Sequence, residues 1–152
     1  MKITKYLPIS QIAADVEAED KKAAIEFLVK MMTDRGMIPA EKAPEVFQAV
    51  LEREALTSTG LGYGLALPHV RTEVVPKIEL VFARSRKGVD FEALDGNTVH
   101  FLFLVLAPAR CVDEYLKVIS LISSLMKNES VRQRLLSAKN AEEIFGIINQ
   151  AD

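Results

Sequence analysis

The stretch GLGYGLALPHV, residues 60–70, gathers three of the seven glycines of the chain directly before Pro68 and His69, and His69 is one of only two histidines. A neutral imidazole nitrogen is a nucleophile near pH 7. A glycine-rich backbone approaches a ligand closely and can aim N–H groups at an anion. The types and spacing therefore allow two readings. Either His69 presents an imidazole for chemistry, with Gly60, Gly62 and Gly64 supplying backbone donors, or it is a surface loop residue beside an ordinary tight connection.

Other chemistries find no support in the residues. Gly60, Gly62 and Gly64 are not followed by Gly-Lys-Ser/Thr, which excludes a P-loop. They run into Leu-Ala-Leu-Pro and not into a helix, so a dinucleotide fingerprint fails as well. Two histidines far apart, without a second ligand near either, argue against a metal site. Ser58, Ser85 and Ser120 lack a nucleophile-elbow context. His100, at the start of an apolar run in TVHFLFLV, reads as a structural or solvent-facing strand-edge histidine.

The elements around this stretch follow from apolar periodicity. Ile25, Leu28, Val29 and Met32 recur at helical spacing, with Asp20 as N-cap and Gly36 as C-terminal stop. Val46, Phe47, Val50 and Leu51 mark a second helix with Pro44 in its first turn. Pro68 fixes its own φ and biases Leu67 toward extended geometry, so LALPH reads as a short strand with His69 at its mouth. KIELVFARS puts Ile78, Leu80 and Phe82 on one side of a strand. TVHFLFLVLA is continuous enough to be a strand buried on both faces, preceded by an Asp95-Gly96-Asn97 turn. Leu116, Ile119, Ile122 and Met126 return to helical spacing, and two short helices close the chain, the last with Asn140 and Glu143 placed as a capping pair. The order helix, helix, strands, helix, helix, helix predicts an α/β fold: a mixed central sheet flanked by helices, a single layered domain over 1–152.

Composition sets the outer bounds. With 19 basic and 21 acidic side chains the formal charge is −2, which leaves no broad electrostatic footprint for nucleic acid or an anionic membrane. The single cysteine, Cys111, excludes an internal disulfide framework. No apolar run reaches the roughly 18 residues of a membrane span, and the N-terminus lacks the apolar core of a signal peptide. The expectation is a soluble, cytoplasmic protein with no direct membrane insertion.

LEREALTSTGLGYGLALPHV resembles the signature of the enzyme IIA domain of the fructose/mannitol class in bacterial sugar phosphotransferase systems, in which an Arg-Glu pair at a helix end leads to a Gly-rich loop closing on apolar-Pro-His. GVDFEALDGNTVHFLFLVLAP, DEYLKVISLISSLM and AEEIFGIIN extend the likeness over essentially the whole chain. The lack of an attached domain is similar to the stand-alone nitrogen-regulatory branch. The resemblance implies that His69 is phosphorylated by a histidine-containing phosphocarrier protein and passes the group to a IIB partner. It implies too that Arg53 is the active-site arginine, and it calls for neither cofactor nor metal. Arg53 would supply a fixed fork of donors to phosphoryl oxygens, and the N–H groups of Gly60–Gly64 would add to it.

Two positions depart from the family pattern. Where many members carry a second histidine, at the start of the helix in DEYLKVIS, this chain has Tyr115; where mannitol-type members have a glutamate, it has Tyr63. Tyr115 can donate a hydrogen bond from the site wall but cannot become an imidazolium. The first functional expectation is a phosphocarrier. The alternative is a regulatory binding module whose protein partners are selected by the phosphorylation state of His69.

Overall fold

The computed structural model describes residues 2–152 as a mixed six-stranded sheet with helices on both faces. The strands are β1 (Ile12–Ala13), β2 (Gly60–Gly62), β3 (Leu65–Ala66), β4 (His69–Arg71), β5 (Glu79–Val89) and β6 (Val99–Ala107). The helices are α1 (Lys21–Asp34), α2 (Ala43–Leu56), α3 (Val112–Met126), α4 (Glu129–Ser137) and α5 (Ala141–Ala151). The strand order is β1-β5-β6-β3-β2, with β4 also on β6. β5 runs antiparallel to β6, whereas β3 and β4 run parallel to it.

β6 is the spine because its side chains are apolar on both faces. Phe101, Phe103, Val105 and Ala107 face α3, α4 and α5, together with Leu80 and Phe82 of β5. Leu102, Leu104 and Leu106 face α1 and α2 with Val81 and Ala83. Alternation at period two thus splits one strand between two cores, as the sequence predicts for a strand covered on both sides. At the start of β6 the N–H groups of His100 and Phe101 both donate to the Gly64 carbonyl, at 2.8 and 3.0 Å, while across from them β5 carries the register shift, between Arg84 and Val89.

The helix ends follow their local chemistry. The Asp20 carboxylate accepts from Ala23 N–H at 2.9 Å, and Gly36 leaves α1 with φ of 74°. Asn140 accepts from Glu143 N–H at 2.9 Å; the Glu143 carboxylate reaches back to the N–H of Lys139, one residue beyond the N-cap N–H that a full capping box would use. In α3 the buried stripe is Tyr115, Val118, Ile122, Leu125 and Met126, not the predicted Leu116, Ile119, Ile122 and Met126. The helix is apolar over a wide arc. The sheet takes the Tyr115 side and leaves Leu116 58% exposed.

One side chain in the core is unexpected. Arg84, on β5, is fully buried and donates from Nε to the Ala14 carbonyl at 2.7 Å and from Nη1 to the Leu135 carbonyl at 2.6 Å. With Arg86 Nη2 on the Ala138 carbonyl at 3.0 Å, it satisfies carbonyls at the C-terminal end of α4 that the helix itself leaves unpaired.

Gly60 sits where two backbones touch, since a Cβ built on it would lie 2.8 Å from both Cα and Cβ of Ala93. Gly60→Ala is therefore expected to lower stability by about 1–3 kcal/mol, the usual cost of forcing atoms into a packed contact. Chemical denaturation checks this, and an unchanged midpoint would contradict the close approach.

Candidate active site

The segment Leu65–Arg71 runs along β6 in a single register, Leu65 opposite Phe101 and His69 opposite Val105. It is broken only at Leu67 and Pro68. Pro68 has no N–H to give to the ladder, but its carbonyl still accepts from Val105 N–H at 3.1 Å. His69 begins β4, so the strand it was predicted to end instead continues past it. The period of two then puts His69 and Arg71 on the α3 side of the sheet and Val70 on the other.

His69 faces Tyr115 of α3 with ring centroids 5.9 Å apart and planes tilted by 58°. Both line an open cleft of about 900 Å³ with Arg53, Arg71, Glu73 and Leu116 among its walls. His69 Nδ1 lies 2.6 Å from the Leu67 carbonyl oxygen. A carbonyl only accepts, so Nδ1 carries the proton and Nε2 keeps its lone pair. Burial pushes the His69 pKa below the ordinary 6.5, and the Arg53 guanidinium adds to this; the Leu67 bond and the Glu54 carboxylate pull the other way. The result is a neutral imidazole with one nitrogen fixed and the other available.

Arg53 enters from the last turn of α2, where among the described residues its only hydrogen bond is a long one, 3.4 Å, from Nη1 to the Thr57 carbonyl. Its planar fork is otherwise free to meet an anion. The neighbouring Glu54 points inward. Only 4% exposed, its carboxylate accepts from Thr59 N–H at 3.1 Å and from the Thr59 hydroxyl, and pairs with Lys21 Nζ at 3.4 Å. Thr59 in turn accepts from Leu67 N–H through its carbonyl at 3.0 Å. The Arg-Glu pair thus divides its work: Arg53 lines the cleft, while Glu54 holds the backbone leading to His69.

Burial also pushes the Tyr115 phenol up to about 12, against the pull of Arg53 and then Arg71. It stays a neutral O–H across the physiological range. The predicted contribution of Gly60, Gly62 and Gly64 has another outcome, because none of them lines the cleft. They build the β2–β3 hairpin, whose two-residue turn has positive φ at both Tyr63 (58°) and Gly64 (72°), the twist that suits a tight hairpin. Gly60 N–H is taken by Ser58 Oγ at 3.0 Å and the Gly64 carbonyl by the N–H groups of His100 and Phe101. Tyr63 likewise turns from the cleft and lies under the guanidinium of Arg132 on α4, 4.7 Å from it. His100 donates from Nδ1 to the Ser85 carbonyl at 2.8 Å, the structural role expected of it. Among the described residues no cluster of His, Cys, Asp and Glu is arranged to hold a metal.

Sequence reasoning overlooked Arg71 and Glu73. The signal was the strand itself: once His69 starts a strand, the residue two positions on shares its face.

Residues 5–151 match the family model described as phosphoenolpyruvate-dependent sugar phosphotransferase system, EIIA 2. The chain is 34% identical over 146 residues to the PTS system fructose-specific EIIA component of Haloferax volcanii, covering 96% of this chain and 94% of that one. It is 36% identical over 152 residues to the PTS system fructose-specific EIIABC component of Bacillus subtilis, of whose length it spans 24%. The nitrogen regulatory protein IIA-Ntr of Neisseria meningitidis superposes with a TM-score of 0.87 at 34% identity, over 96% of this chain and 98% of that one. Enzyme IIAMTL of Escherichia coli, in a complex with phosphorylated enzyme IIBMTL, superposes with a TM-score of 0.78 at 27% identity, over 93% and 95%. Among the described residues no helix is long and apolar enough to cross a membrane.

The depressed His69 pKa has a direct readout. In an NMR titration of the ring nitrogens, the His69 midpoint is expected below 6.5, so that the neutral form persists to lower pH than in a free imidazole. Arg53→Ala removes a positive neighbour and should raise that midpoint. A wild-type midpoint above 6.5, or a fall in the variant, would contradict the electrostatics of the cleft.

Proposed function

The chain belongs to the EIIA 2 family of the phosphoenolpyruvate-dependent sugar phosphotransferase system, a family of phosphoryl carriers, and we propose that His69 Nε2 is the atom that carries the group. The observation that carries the proposal is the 2.6 Å contact of Nδ1 with the Leu67 carbonyl, which leaves the lone pair on Nε2 in a cleft shared with Arg53. Nε2 supplies the electron pair for the new P–N bond, and the pair of the broken bond returns to the donor nitrogen. The ring takes on positive charge as it bonds phosphorus, and a charged N–H is the stronger donor to the Leu67 oxygen. Such a transfer rests on positioning and on stabilising charge in a loose transition state. Arg53 meets the phosphoryl oxygens, and the Tyr115 hydroxyl contributes a neutral hydrogen bond from the α3 wall.

The donor is a histidine-containing phosphocarrier protein and the acceptor a IIB component. The likeness to an enzyme IIA caught with phosphorylated IIB supports the second. The likeness to IIA-Ntr favours a further reading, in which the modified His69 selects a regulatory protein partner. Phosphorylation adds about −1.5 to −2 charges to the cleft, enough to change what binds beside it. On either reading the protein works in the cytoplasm.

Loading with phosphoenolpyruvate, enzyme I and the phosphocarrier protein tests the assignment. His100→Ala should gain one phosphoryl mass like the wild type, whereas His69→Ala should gain none; labelling of His69→Ala at the wild-type rate would overturn it. Arg53→Ala should melt like the wild type yet accept phosphate roughly ten- to a hundred-fold more slowly, the loss of about 1.5–3 kcal/mol from a charge-assisted bond. Tyr115→Phe, which removes a neutral bond worth about 0.5–1.5 kcal/mol, should slow acceptance by no more than roughly tenfold. Rates equal to wild type would remove the corresponding side chain from the site.

A further inference from the structure

We propose, on the reading that His69 carries the phosphoryl group, that Arg71 is a second phosphoryl-binding residue, so that the group is held between Arg53 on α2 and Arg71 on β4. Strand geometry places it there. His69 and Arg71 are two residues apart on β4, with Cα atoms about 6.6 Å apart and side chains on one face. Both line the cleft that Arg53 and Tyr115 also line.

The guanidinium of Arg71 is uncommitted. Among the described residues it makes no hydrogen bond and no ion pair, although carboxylates are near. Glu73, two residues further along the chain and on the same cleft, is held by accepting from Ala109 N–H at 2.9 Å. Glu54, the other carboxylate close to His69, is occupied by Thr59 and Lys21. Arg71 thus forms no ion pair among the described residues although Glu73 shares its cleft, and its charge is felt at the Tyr115 phenol, where it opposes the effect of burial.

The ligand chemistry asks for such a residue. A phosphoryl group on a ring nitrogen presents three oxygens bearing about two negative charges. One planar fork can engage two of those oxygens, leaving a third and about one charge unmet. Arg71 supplies the second charge from the β4 side, while the Tyr115 hydroxyl is a donor without charge. Transfer forms the Nε2–P bond and breaks the donor P–N bond; neither arginine gains or loses a proton.

Arg71 is exposed, so its variants should fold, and matching melting temperatures would verify this. The test uses the full chain phosphorylated at His69 and compares wild type with Arg71→Gln and Arg71→Lys. At equilibrium with the phosphocarrier protein, Arg71→Gln should shift the phosphoryl group toward the donor by roughly ten- to a hundred-fold, with Arg71→Lys between it and wild type. In isolated wild-type protein, phosphorylation should move the Arg71 Nε–H resonance downfield and slow its exchange with water. A charge that merely attracts the donor protein would behave otherwise: Arg71→Gln would raise KM in a salt-dependent way, and the equilibrium and the Nε–H resonance would not change. That result overturns the proposal. Wild-type protein that takes no phosphate on His69 would instead overturn the reading on which it rests.

Discussion

The site depends on one register. Leu65–Arg71 stays aligned with β6 from Phe101 to Ala107 although Pro68 interrupts the ladder. Because side chains on a strand alternate, a slip of one residue would turn His69 and Arg71 toward α1 and α2, and Val70 into the cleft. The register is held on three sides. His100 and Phe101 fix Gly64 with two donated hydrogen bonds, the Thr59 carbonyl takes Leu67 N–H, and the Pro68 carbonyl takes Val105 N–H. Glu54 secures Thr59 from below, so a buried carboxylate at the end of α2 is coupled to the position of an imidazole at the sheet edge.

With the backbone fixed, the chemistry of His69 follows from local geometry. The Leu67 carbonyl selects the tautomer, burial keeps the ring neutral, and the Arg53 charge opposes protonation while remaining free to meet an anion. The same neighbours that depress the pKa of the free ring favour the modified one, since a guanidinium beside an imidazole repels a proton and attracts a phosphoryl group. Beside the reacting nitrogen, burial keeps the Tyr115 phenol protonated across the physiological range. His69, held neutral to lower pH than a free imidazole, is the group left to react.

Much of this was legible in the sequence, for physical reasons that can be named. The two-faced apolar run of β6, the Asp20 cap and the Gly36 stop are local signals and gave the helix–sheet–helix order correctly. The Arg-Glu to Pro-His block brought Arg53 and His69 together through the family resemblance, and the structure brings both to one cleft. What was not legible was direction. Gly60, Gly62 and Gly64 suit an anion site as well as a hairpin, and only the Tyr63–Gly64 turn and the contact with Ala93 decide for the hairpin. The α3 helix is apolar enough for two stripes, and tertiary packing chose the one containing Tyr115. Arg84 in the core depends on carbonyls far away in sequence, which no window of residues reveals, whereas Arg71 was readable once His69 is known to start a strand and not to end one.

The central claim concerns one atom and can be tested on it. Protein with 15N-labelled histidine, loaded through the phosphocarrier protein, would be observed by 15N–31P correlation NMR. The account requires phosphorus coupled to Nε2 of His69, with the Nδ1 proton retained in its bond to the Leu67 carbonyl. Coupling to Nδ1 of His69, or to either nitrogen of His100, would contradict it.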